Sequence, residues 1–118
     1  MPHARVTMKV RRVTDKISII DVEGELTAFA EDALMEAYSQ ASGSGVRAII
    51  LNFERLEYMN SSGIGLLVTL LIRINRAKQK LLTYGLSDHY QSIFQITRLD
   101  DAIGIYGTER EAIRAAER

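Results

Sequence analysis

The chain has 118 residues, with fifteen basic and fifteen acidic side chains and a formal net charge of zero. That length suits one domain, which buries roughly two-thirds of the surface its unfolded chain would expose. The charge balance argues against a general nucleic-acid backbone binder, which gains from a Lys/Arg excess, while leaving room for a local basic patch. With no cysteine, disulfides and thiolate metal sites are excluded, and His3 and His89 alone make no zinc motif. Met1 to Val10 carries His3, Arg5 and Lys9 and lacks the apolar run of a signal peptide. The longest apolar stretch, Ile64 to Ile74, is about 11 residues, where a membrane helix needs about 20. The expectation is one domain over residues 1–118, cytoplasmic, not inserted in a membrane, binding no nucleic acid directly and needing no cofactor.

Val6, Met8 and Val10 alternate with polar residues, the period-two pattern of a half-buried strand. Val13 to Lys16 reads as a hairpin turn into a second strand, Ile17 to Val22, which Gly24 ends. Phe29, Ala33, Leu34, Ala37 and Tyr38 recur at helical spacing over Ala28 to Ala41, with Thr27 as a candidate N-cap and Ser42-Gly-Ser-Gly45 as the breaker. Val46 to Phe53 is almost unbroken apolar sequence, the mark of a strand covered on both faces. A loop over Glu54 to Asn60 then leads to a helix that begins near Ser61 or Ser62. Leu67, Leu70, Leu71 and Ile74 form its apolar stripe. Arg73, Arg76, Lys78 and Lys80 follow, read either as the solvated cationic end of the helix or as a docking patch.

Leu81 to Tyr84 is a short strand closed by Gly85, and Ser87 and Asp88 open a helix through Ile96 with Tyr90, Ile93, Phe94 and Ile96 as its apolar side. Ile103 to Tyr106 is a last strand, and Thr108-Glu-Arg-Glu111 is a capping box that starts a final helix. The order ββαβαβαβα implies an α/β fold. Its mixed sheet has four to five strands and right-handed crossovers that put the helices mainly on one face. The N-terminal hairpin strand belongs at an edge, and Ala48 to Phe53 near the centre.

The most informative segment is Leu56-Glu-Tyr-Met-Asn-Ser-Ser-Gly-Ile-Gly-Leu-Leu67, where a buried strand turns into a helix. Asn60, Ser61 and Ser62 can each accept a hydrogen bond from first-turn amides. Gly63 and Gly65 leave the backbone bare for close approach, either by another chain or by the sheet beneath. Tyr58, Met59 and Ile64 flank the serines as apolar candidates for contact, whereas Phe29 and Phe94 read as core.

Tyr58-Met-Asn-Ser-Ser-Gly-Ile-Gly65, together with Gly24-Glu-Leu26 after the second strand, resembles the STAS domains, the family of the bacterial anti-sigma factor antagonists. Their pattern is Asp-Ser-Ser-Gly or Asp-Ser-Thr-Gly and Leu-Gly at a helix start, with Gly-Glu-Leu-Asp earlier in the chain. The resemblance implies an anti-sigma factor antagonist whose partner is an anti-sigma factor that is also a serine kinase, opposed by a phosphatase. It implies that Ser61 is the phosphorylated residue: the unmodified protein sequesters its partner and the phosphorylated one releases it. The contact surface it implies comprises Gly24, Glu25, Thr27, Tyr58, Met59, Asn60, Ser62, Gly63 and Ile64. Asn60 and Thr27 stand where the family pattern has aspartates, which leaves open a non-switching scaffold or a transporter-associated module. A serine hydrolase is the remaining alternative, and neither Ser61 nor Ser62 lies in a Gly-x-Ser-x-Gly elbow.

Overall fold

The computed structural model describes residues 5–118; His3 and the opening of the N-terminal segment read above lie outside them. The elements run β1 (Val6–Thr14), β2 (Ile17–Leu26), a 3-10 turn (Ala28–Ala30), α1 (Glu31–Ala41), β3 (Ala48–Met59), α2 (Ser61–Arg76), β4 (Lys80–Tyr84) and α3 (Asp88–Ile96). A second 3-10 turn (Leu99–Asp101), β5 (Gly104–Tyr106) and α4 (Glu109–Ala116) complete the chain. This is the expected ββαβαβαβα order. The five strands lie side by side in sequence order, with β1 antiparallel to β2 and the other neighbours parallel. β1 is therefore an edge strand and β3 the central one.

Right-handed crossovers between neighbouring parallel strands place α1, α2 and α3 on one face. There Leu34 and Tyr38 of α1, Leu67, Leu70 and Ile74 of α2 and Phe94 of α3 pack on Ile20, Val22, Ile49, Leu51 and Phe53. On the other face the small side chains of α4, Ala112, Ala115 and Ala116, lie on Ile17, Ile19, Ala48, Ile50, Leu82 and Tyr84. Successive β3 residues serve opposite cores, so the apolar run reflects burial on both sides. No helix among the described residues is long and apolar enough to cross a membrane.

Three sequence expectations need correction. Glu54 to Met59 is strand rather than loop, and β2 continues past Gly24 to Leu26, because these two segments pair with each other. Two irregularities, between Asp21 and Glu23 and between Gly24 and Glu25, carry the pairing through. Gly24 adopts φ 103°, and a Cβ there would sit 2.2 Å from the Arg5 carbonyl oxygen, so the position favours glycine on both counts. The helix expected from Ala28 begins as a 3-10 turn, and α1 proper starts at Glu31. Finally, Phe29 is 57% exposed and Ile96 81% exposed, so neither belongs to the core.

Candidate functional site

The parallel register of β2 and β3 sets Glu25 opposite Tyr58 and Leu26 opposite Met59. The two motif segments, distant in sequence, thus end side by side at the carboxyl ends of neighbouring strands. Loops at the carboxyl ends of parallel strands are where binding groups are commonly displayed on α/β scaffolds.

Asn60 makes the turn from β3 into α2. Its backbone is extended (φ −105°, ψ −175°), and its side-chain oxygen accepts from the Gly63 N–H at 3.0 Å. Its carbonyl accepts the Ile64 N–H at 3.0 Å. Of the three candidate caps, Asn60 is therefore the one used, and Ser61 and Ser62 become the first two helical residues. Both serines are exposed. Neither hydroxyl makes a hydrogen bond among the described residues, and α2 has no acidic residue in its first turn. The positive end of a 16-residue helix is left facing solvent beneath two free hydroxyls.

Gly63 is buried, and a Cβ there would meet the Leu26 carbonyl oxygen at 2.0 Å. The close approach the sequence foresaw at this glycine is made by the chain's own β2, which presses α2 onto the sheet. Met59, expected to be exposed, is only 5% exposed and joins the core under the turn, as its pairing with buried Leu26 requires. Its N–H donates to the Tyr90 hydroxyl at 2.9 Å. β4 ends opposite Asn52, so this distal part of β3 has no sheet partner on that side, and a side chain from α3 takes the place of the missing strand. The sequence offers Tyr90 only as part of an apolar helix face; nothing local pairs it with Met59.

Thr27 caps the 3-10 turn, its hydroxyl oxygen accepting from the Phe29 N–H at 3.3 Å. That turn packs against α2. Phe29 and Tyr58, the latter 49% exposed, thus add apolar surface near the serines, and Ile64 is half-buried against the core. Gly24 is buried and Glu25 half-buried. The exposed groups at this edge are Ser61, Ser62, Tyr58 and Phe29. Gly24, Met59 and Gly63 hold them in place from below.

A second polar cluster went unseen in the sequence. It lies on the α4 face, where Arg11 of β1 donates to Asp21 of β2 at 2.7 and 2.8 Å and to Glu109 of α4 at 2.9 Å. The Tyr84 hydroxyl donates to Glu109 at 2.8 Å, and the Asn52 amide to Asp21 at 2.8 Å. Arg11 and then Tyr84 hold the Glu109 carboxyl below its usual range. Burial pushes the Asp21 carboxyl up, but hydrogen bonds from Arg11 and Asn52 outweigh it and leave the group below its usual range. Burial, helped by Glu109, raises the Tyr84 hydroxyl. The cluster fastens α4 and the edge strand to the sheet.

Residues 8–112 match the family model described as the STAS domain. The chain is 36% identical over 98 residues to a protein of Staphylococcus aureus (strain NCTC 8325 / PS 47) named "Anti-sigma-B factor antagonist", covering 82% of this chain and 91% of that one. Among solved structures it is similar to the anti-sigma factor antagonist SpoIIAA in its unphosphorylated form, with 27% identity, TM-score 0.73, and coverage of 94% of this chain and 98% of that one. It is also similar to the Bacillus cell fate determinant SpoIIAA in the phosphorylated form, with 29% identity, TM-score 0.71, and coverage of 92% and 98%. The match spans both strand ends, the Asn60 turn and the helix that begins at Ser61, and the chain belongs to the STAS-domain family.

Proposed function

We propose that this protein is an anti-sigma factor antagonist, a binding module of the cytoplasm rather than an enzyme, and that phosphorylation of Ser61 switches its grip. Unmodified, it sequesters an anti-sigma factor that is also a serine kinase; phosphorylated, it lets go until a phosphatase resets it. The contact surface centres on Ser61 and Ser62 and includes Tyr58, Ile64, Glu25, Thr27 and Asn60, with Gly24, Met59 and Gly63 as its support.

The observation that carries this reading is the state of Ser61. It is the first residue of α2, exposed, with its hydroxyl unengaged, because Asn60 has taken over the cap. A kinase can reach such a hydroxyl without unfolding anything. The phosphate it leaves behind sits at a helix N-terminus, where anions are stabilised. The domain therefore tolerates modification, and the effect falls on the interface, where nearly two added negative charges resist burial against a partner. The relatives named as antagonists, and a relative solved with and without phosphate, support the same reading.

The test is phosphopeptide mapping after incubation with the serine kinases of the protein's own host. Phosphate on Ser61 is the expected result. Modification confined to Ser62 or Thr27 moves the switch elsewhere, and no modification under conditions that phosphorylate a known antagonist favours a passive scaffold.

A further inference from the structure

At the opposite end of the sheet from Ser61, the amino ends of β2, β3 and β4 meet the segments that leave α2 and α4. Ile17, Ala48 and Lys80 stand side by side there in the strand register. The 12 residues of β3 separate this edge from the Met59 end by about 35 Å, at roughly 3.3 Å per residue. An open cavity of about 480 Å³ occupies it, lined by Lys16, Arg47, Lys78, Lys80 and Arg118, with Glu117 as its one acidic side chain. Five of the chain's fifteen basic residues surround this single cavity, although the net charge is zero.

Neither helix requires these charges. α2 carries Arg73 and Arg76 in its last turn and α4 carries Arg114, which already complement the negative helix ends. No ion pair with a carboxylate side chain among the described residues involves any of the five. Among the described residues Lys80 alone of the five donates a side-chain hydrogen bond, to the Arg118 main-chain oxygen. Lys78 also holds a left-handed backbone, φ 58°, a conformation that suits glycine better than lysine. Like charges gathered in a concave site repel one another and focus positive potential into the space between them.

The geometry points to a binding site for a small anion that carries two or more linked phosphate groups. The cavity has the volume of a small-molecule site. Its cations come from four separate segments, the β1–β2 turn, the approach to β3, the α2–β4 connection and the end of α4. A ligand with several linked phosphates can meet cations from more than one of these segments at once, where a single tetrahedral anion has fewer oxygens to share among them. Glu117 and the negative ends of the two helices offset part of the positive potential, so the attraction rests on the surplus of five cations over this one carboxylate. The site is remote from Ser61 and stands independently of the partner reading.

Calorimetric titration with inorganic tripolyphosphate, at physiological ionic strength, tests the assignment. Saturable one-to-one binding is expected, and orthophosphate should bind at least tenfold more weakly. Arg47→Glu should reduce tripolyphosphate affinity at least tenfold. Lys78→Gly removes a cation where glycine relieves the backbone, so a loss of threefold or more in that variant cannot be ascribed to misfolding. Arg55→Glu, at the other end of the sheet, should leave affinity within twofold of wild type. Absence of saturable binding, equal affinity for orthophosphate, or an equal loss in Arg55→Glu and Arg47→Glu would each overturn the site.

Discussion

Alanine substitution at two glycines of α2, two residues apart, should move stability in opposite directions. At Gly63 the added methyl would lie 2.0 Å from the Leu26 carbonyl oxygen, 2.9 Å from its carbon and 3.0 Å from Met59 Cγ. Two of these neighbours are backbone, so the helix must retreat from β2 as a unit. Overpacking of this kind costs about 1–3 kcal/mol, and the retreat also pulls at the Asn60 cap. At Gly65 nothing lies within 4 Å and the residue is exposed, so the substitution changes little except helix propensity. Alanine gains about 0.5–1 kcal/mol there. At roughly 4 °C per kcal/mol for a domain of this size, Gly63→Ala should lower the melting temperature by about 8 °C and Gly65→Ala raise it by about 3 °C. Thermal melts by circular dichroism read both. Equal shifts of either sign would refute the claim that Gly63 is fixed by contact with β2 while Gly65 faces open space.

Three further outcomes follow from the site and the polar cluster. Ser61→Asp should change stability by no more than about 1 kcal/mol, since a carboxylate suits the first turn of a helix, and a thermal melt checks this. Tyr90→Phe leaves the Met59 N–H without its acceptor and should cost about 1–2 kcal/mol in urea unfolding; an unchanged midpoint would mean the Tyr90 bond contributes nothing to the turn. Asp21 and Glu109 are held below their usual range in the fold, so their stabilisation is present at neutral pH and is lost as pH falls through their folded values. The melting temperature should drop as pH is lowered from about 5 toward 3, and less steeply in Arg11→Gln; parallel curves would refute the role of Arg11.

Much of the architecture is legible in the sequence because it rests on burial. From Ala48 to Phe53 only Asn52 is polar, with Ile49, Leu51 and Phe53 on one face and Ala48 and Ile50 on the other, and this run marks β3 as a central strand covered on both faces. The Asn60 turn is legible as a group of cap formers before a helical stripe, although which residue caps depends on where β3 stops. That stop is not legible, because Glu54, Arg55 and Glu57 are exposed and charged, and burial patterning fades where the strand outruns its cover. The same effect hid Met59: its neighbours look like loop, while its side chain sits beside Leu26 in the core. Phe29 misled in the other direction, since an aromatic at helical spacing looks internal until the 3-10 turn rotates it outward. The Arg11 cluster joins residues from β1, β2, β3, β4 and α4, and no local pattern could assemble it.

The central claim is that Ser61 controls partner binding through charge at the interface while the fold stays intact. Its most direct test is a titration of the anti-sigma partner with wild type, Ser61→Ala and Ser61→Asp, each protein having first shown the same cooperative unfolding. A carboxylate at this position must shed water against a packed partner without a dedicated counter-charge. The account predicts that wild type and Ser61→Ala bind alike in the absence of ATP, and that Ser61→Asp binds at least tenfold more weakly, about 1.4 kcal/mol. Equal affinity for all three proteins would contradict it.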